Sequence, residues 1–119
     1  MAGGSLGALC RYLFAVGASK FIGERFPWGT LLANMTGCFL IGAAFALIDR
    51  SSFFTPSVRL FFMTGFLGAL TTFSTYALES VNYMRAGSYI AIINFLLNNI
   101  GGGLLVIAGF QVIRFILKD

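Results

Sequence analysis

Four long apolar stretches, at about residues 2–22, 28–48, 58–83 and 89–117, alternate with short polar turns. Gly23-Glu24-Arg25-Phe26-Pro27 closes the first. Asp49-Arg50-Ser51-Ser52 and Thr55-Pro56-Ser57 follow the second, and Met84-Arg85-Ala86-Gly87-Ser88 follows the third. Each stretch reaches the roughly 20 residues that a helix needs to cross a hydrocarbon core of about 30 Å. The pattern predicts an all-α membrane protein with four transmembrane helices in a single domain, residues 1–119. Trp28 would anchor the second helix at the interface, and Pro56 or Ser57 would start the third.

The third stretch breaks its own pattern. In GFLGALTTFSTYALE, Gly65 to Glu79, two glycines precede a run with four hydroxyls in five positions, two aromatics and a carboxylate. Gly68 followed by the β-branched Thr71 and Thr72 is a weak point for a continuous helix. A helix interrupted near mid-membrane exposes backbone groups, which hydrocarbon tolerates only where they line a cavity or bind an ion. Freed carbonyls suit a small hard cation such as Na⁺. Ser74 and Thr75 bring hydroxyl donors, and Phe73 and Tyr76 bring ring edges, the positive part of the aromatic quadrupole. Such a lining suits a small anion. A kinked helix whose hydroxyls bond back to its own carbonyls accounts for the same residues equally well.

Composition agrees with the membrane reading. The 119 residues are 58% hydrophobic and 10% charged, with a mean hydropathy of +0.89, whereas soluble domains carry about 25% charge. The net charge of +4 comes without a basic run that could neutralise a row of phosphates, so nucleic acid is not an expected partner. Cys10 and Cys38 lie in apolar surroundings, without CxxC spacing and without any histidine in the chain, and read as small buried residues. Arg11 sits in the middle of the first stretch, which a cleavable signal segment would avoid. With the N-terminus inside, Arg50, Arg59, Arg114 and Lys118 face Lys20, Arg25 and Arg85, four against three. So small a bias permits insertion both ways, and two copies could pair about an axis in the membrane plane. A small but real bias with a single orientation fits the count as well.

Polar residues elsewhere in the spans narrow the site. Thr30, Asn34, Gly37 and Ile41 share one face of the second helix, and Asn94, Asn98 and Gly102 share one of the fourth, with Asn99 beside them. Interhelical hydrogen bonding explains Asn94 and Asn99. Asn34 and Asn98, each facing a small residue, are the better candidates for a solute pathway. Glycines such as Gly3 and Gly7 read as close-packing positions, and Arg11 as a structural anchor for carbonyls or a carboxylate.

Three motifs then carry a family resemblance. Gly7-Ala8 to Arg11-Tyr12 resembles the G-A-x-x-R-Y opening of the Fluc/CrcB fluoride-channel family. Gly29-Thr30-Leu31-x-x-Asn34-x-x-Gly37 resembles its second element, and Gly65-x-x-Gly68-x-x-Thr71-Thr72-Phe73-Ser74-Thr75 with Glu79 resembles its third. The resemblance implies a passive channel of the inner (plasma) membrane that exports toxic fluoride, built as an antiparallel, dual-topology dimer with two pores. It implies that Asn34 is a pore amide donor, Thr30 a vestibule hydroxyl and Phe73 a pore aromatic, with Ser74 and Thr75 along the fluoride pathway and Glu79 near a pore mouth. It also implies that the carbonyls of Gly68 and Thr71, from both subunits, hold a structural Na⁺ at the dimer centre, and that Arg11 is structural. Tyr76 departs from the family's second phenylalanine, and Gly102 and Val106 stand where a serine and a threonine are usual on the fourth helix. One half of a heterodimeric channel, paired with a paralogue, is the alternative to the homodimer that the balanced charges favour. A small multidrug transporter would place a glutamate in the first span, where this chain has Arg11. Proton-coupled exchange lacks a relay, since Glu79 is the sole acid within the spans.

Overall fold

The computed structural model describes residues 1–23, 25–50 and 55–117, and only the backbone of Asp49 and Arg50. Glu24, residues 51–54 and Lys118, which entered the turn and charge readings above together with the Arg50 side chain, lie outside the described residues. The chain folds as helices joined by turns, with no strand among the described residues. The first helix runs Ala2–Phe21, the second Trp28–Arg50, the third Pro56–Arg85 and the fourth Ile90–Leu117. Among the described residues, Trp28–Ile48, Pro56–Arg85 and Ile90–Leu117 are long and apolar enough to cross a membrane. The first helix is long enough at 20 residues, about 30 Å at 1.5 Å per residue. Glycines, Ser5, Arg11 and Lys20 dilute its apolar character, and it packs along the leading half of the third helix.

Local chemistry sets the ends. Thr55 caps the third helix, accepting the Val58 N–H at 3.3 Å, and Pro56 occupies the first turn, where its missing N–H costs nothing. At the far end Gly87, with φ of +73°, closes the helix. The Ser88 N–H reaches the Tyr83 carbonyl at 2.9 Å and the Gly87 N–H reaches that of Met84 at 3.0 Å. This doubly bonded cap requires the left-handed conformation that glycine adopts without steric cost.

Packing relies on small residues, because lipid tails are as apolar as leucine and close backbone contact must supply the attraction between helices. The second and fourth helices touch at Gly42, set against the Val106 carbonyl, and at Gly109, set against that of Phe39. Gly3 and Gly7 bring the first helix onto the backbone of Phe61 and Phe66. Ala33, Leu67 and Leu70 form the buried core, flanked by Cys10, Phe14, Leu40, Phe62 and Phe66. Both cysteines are free thiols.

The third helix is bent and interrupted midway. Its leading half includes a wider π-wound segment, Leu60–Leu67, and ends at Leu70. Thr71 (φ −84°, ψ 154°) and Thr72 (φ −149°, ψ 125°) are extended, and helix resumes at Phe73. A second π segment, Leu97–Gly101, lies in the fourth helix across from this break and carries Asn98 and Asn99. Such segments interrupt the regular i→i+4 ladder and concentrate at functional sites.

Candidate functional site

The break is held open by hydrogen bonds, and Asn34 of the second helix makes the central ones. Its Oδ1 accepts the Thr72 N–H at 2.8 Å, and its Nδ2 donates to the Thr72 carbonyl at 3.2 Å. The amide thus pairs with both backbone groups of one extended residue, as a neighbouring strand would. The remaining Nδ2 hydrogen goes to Asn98 Oδ1 at 3.0 Å. Asn98 Nδ2 donates to the Asn94 carbonyl and to Asn94 Oδ1, at 2.9 and 2.8 Å. Asn94 is fully buried and donates to Ser80 Oγ at 2.8 Å on the trailing half of the third helix. A continuous chain therefore ties the break, the second helix and the fourth helix to the trailing half below.

The same bonds release backbone carbonyls. In an unbroken helix the Thr72 N–H would serve the Gly68 carbonyl and the Thr75 N–H that of Thr71. Here the first is taken by Asn34 and the second by the Thr72 hydroxyl at 3.3 Å. Gly68 and Thr71, the two residues expected to offer carbonyls, are among the residues 68–71 whose i+4 donors lie in or beyond the break. The Thr71 hydroxyl bonds back to the Leu67 carbonyl at 3.0 Å, so at this residue the kinked-helix reading also holds. Among the described residues no group of three or more His, Cys, Asp or Glu side chains could hold a metal.

A cleft of about 380 Å³ opens beside the break. Its wall is largely apolar, with Ile41, Met63, Leu67, Phe73 and Tyr76, and Asn34, Thr71, Thr72, Asn98 and Asn99 place polar groups in it; no charged residue lines it. Phe73 and Tyr76 meet edge to face, with centroids 5.5 Å apart and planes at 61°. Their environments differ: Tyr76 is 6% exposed and Phe73 is 76% exposed, projecting from the protomer. Ser74 is also exposed, and Thr75 Oγ1 accepts from the Thr72 hydroxyl at 3.3 Å.

Thr30 and Glu79 are brought together elsewhere. The Thr30 hydroxyl donates to Glu79 Oε2 at 3.2 Å in a smaller pocket of about 220 Å³ that includes Trp28, Gly29 and Tyr83. Glu79 Oε1 is buried and has no partner among the described residues. Arg11 is half-buried on the first helix and forms no ion pair among the described residues. Sequence reasoning missed the part played by Thr72, whose hydroxyl caps the trailing half; Thr-x-x-Thr at the break was the available cap signal. It also missed Ser80, for which no local pattern pointed to Asn94.

Long apolar helices, one of them interrupted beside an uncharged cleft, define a multi-pass membrane protein of the cell membrane. The profile of the family described as "CrcB-like protein, Camphor Resistance (CrcB)" matches residues 1–110. A fluoride-specific ion channel, FluC, of Salinibacter ruber is 47% identical over 116 residues, covering 97% of this chain and 86% of that one. The FluC of Hahella chejuensis is 40% identical, covering 97% of this chain and 91% of that one. The FluC of Legionella pneumophila (strain Lens) is 43% identical, covering 97% and 87%. The chain belongs to the CrcB/FluC fluoride channel family, whose members are ion channels and not enzymes.

Proposed function

We propose that this chain is a fluoride-selective passive channel that exports fluoride from the cytoplasm, working as an antiparallel dimer with two pores and crossing the membrane with all four helices. The observation that carries the reading is the uncharged cleft at the broken third helix, where Asn34, Thr71, Thr72, Asn98 and Asn99 share one largely apolar space with Phe73 and Tyr76. A full positive charge there would bind an anion too tightly for passage, whereas dipoles and ring edges bind it weakly enough to release it. Phe73, exposed in the protomer beside the break, would meet the partner copy at the dimer interface.

In this reading Phe73 and Tyr76 present ring edges to fluoride, Ser74 and Thr75 provide hydroxyl stations along the pathway, and Asn98, whose amide donates to Asn94, lines it and holds Asn34 in place. Asn34 contributes by fixing the open break, since both its amide hydrogens are committed inside the protomer. Thr30 and Glu79 form a station at one end. The carbonyls of Gly68 and Thr71, with those of the partner copy, would hold a structural Na⁺; the N–H groups that would serve them in a continuous helix are bonded elsewhere. The test is fluoride release from liposomes that contain only this protein. Rapid, fluoride-selective release is expected; no release, or chloride passing equally well, would overturn the proposal. Release that appeared only after adding a paralogous chain would favour the heterodimer instead.

A further inference from the structure

Nearly every strong side-chain donor that lines the cleft is already used within the protomer. Asn34 donates to Thr72 and Asn98, Asn98 donates twice to Asn94, Thr71 donates to Leu67, and Thr72 donates to Thr75. Asn99 Nδ2 donates to the Phe95 carbonyl and to the Tyr76 hydroxyl oxygen, each at 2.9 Å. The Phe95 carbonyl can only accept, so it fixes which end of the Asn99 amide faces it and therefore which end faces Tyr76. Tyr76 oxygen must then be the acceptor in that bond, and its own hydrogen points elsewhere. No described residue accepts that hydrogen, although Tyr76 is only 6% exposed. A buried hydroxyl hydrogen without an acceptor is costly unless a ligand supplies one.

We infer that the Tyr76 hydroxyl, held as an acceptor by Asn99, donates its hydrogen to a small anion in the cleft, with Asn99 as the positioning residue. The inference rests on the anion pathway proposed above and names the donor within it. A phenolic O–H is neutral, so it binds an anion through one directed hydrogen bond and favours the strongest, most compact acceptor, fluoride over chloride. The Asn99 amide also polarises the phenol, because a hydroxyl that accepts a hydrogen bond becomes a better donor.

The full chain in liposomes, with fluoride release measured at several fluoride concentrations, tests this directly. Tyr76→Phe keeps the ring and removes the hydrogen, and should raise the half-saturating fluoride concentration on the order of tenfold, with an unchanged gel-filtration profile. Asn99→Leu keeps the hydroxyl but frees its orientation, and should give a smaller rise in the same quantity with little change in maximal rate. Wild-type release together with an unchanged half-saturation in Tyr76→Phe would overturn the inference and leave the channel reading standing. Infrared spectra of the unmutated protein with isotope-labelled tyrosine keep the question open to test even where a variant misfolds. Sodium fluoride should shift one phenol C–O band that sodium chloride at equal ionic strength does not shift. Absence of that shift would overturn the inference, while a shift in a protein that releases no fluoride would support the site and remove the channel.

Discussion

Asn34 and Phe73 were expected to serve one pathway, yet their local physics differ. Asn34→Ala leaves the N–H and carbonyl of Thr72 without their partner, at about 1–3 kcal/mol for each group left unpaired. Both fluoride release and the detergent-solubilised unfolding temperature should fall; a variant with wild-type values in both would mean that the break does not depend on Asn34. Phe73 is exposed in the protomer, so Phe73→Ile removes little core. If Phe73 touches the transported ion as proposed, release should drop by about an order of magnitude, the equivalent of about 1.4 kcal/mol, while the unfolding temperature holds. Equal rates in variant and wild type would place the pathway on another face.

Among the helices, the third is distinctive for being two helices joined at a polar hinge, and Thr72 is the cap of the second. Thr72→Val removes the hydroxyl that receives the Thr75 N–H, a loss of about 1 kcal/mol for a helix cap. Amide exchange at residues 73–76 should accelerate about five-fold, the equivalent of that energy; unchanged exchange would show that the cap contributes nothing. The second helix and the Gly102–Leu117 part of the fourth make the contrasting case of two regular helical surfaces in close contact. Gly42→Val or Gly109→Val would drive a side chain into the backbone of Val106 or Phe39, and the yield of folded protein should collapse. Gly103 faces open space, so Gly103→Ala should be tolerated and should slightly favour the helix, by about 0.5–1 kcal/mol. Similar yields for all three would refute the account of how these helices pack.

At the scale of the molecule, the protomer measures 49 × 30 × 23 Å and leaves many large apolar side chains on its surface, as a lipid-embedded body must. The proposed pathway is shared between two copies of the chain, which makes it a property of the whole molecule. Cross-linking in native membranes should trap a dimer, and replacing Na⁺ with a bulky organic cation should reduce both the dimer fraction and fluoride release. Indifference to Na⁺ in both measurements would count against the Gly68 and Thr71 carbonyls as its ligands.

The sequence by itself determined the all-α, membrane-spanning character, because an apolar run bounded by polar turns has few ways to satisfy its backbone in lipid other than as a helix. It also located the interruption of the third helix, since a glycine followed by paired threonines is a local weakness that needs no distant contact to be visible. The family was legible too, from three motifs in order. What the tertiary structure decided is how the polar residues divide their hydrogen bonds. Asn34 lies 38 residues from Thr72 and 64 from Asn98, and no local pattern shows that its amide is fully used in holding the break. Asn94 and Asn99 could be read from sequence only as interhelical glue. The fold makes Asn94 the buried link to Ser80, and turns Asn99 into the group that orients Tyr76. A hydrogen bond has direction, and which donor is left free depends on where every neighbouring acceptor lies in three dimensions.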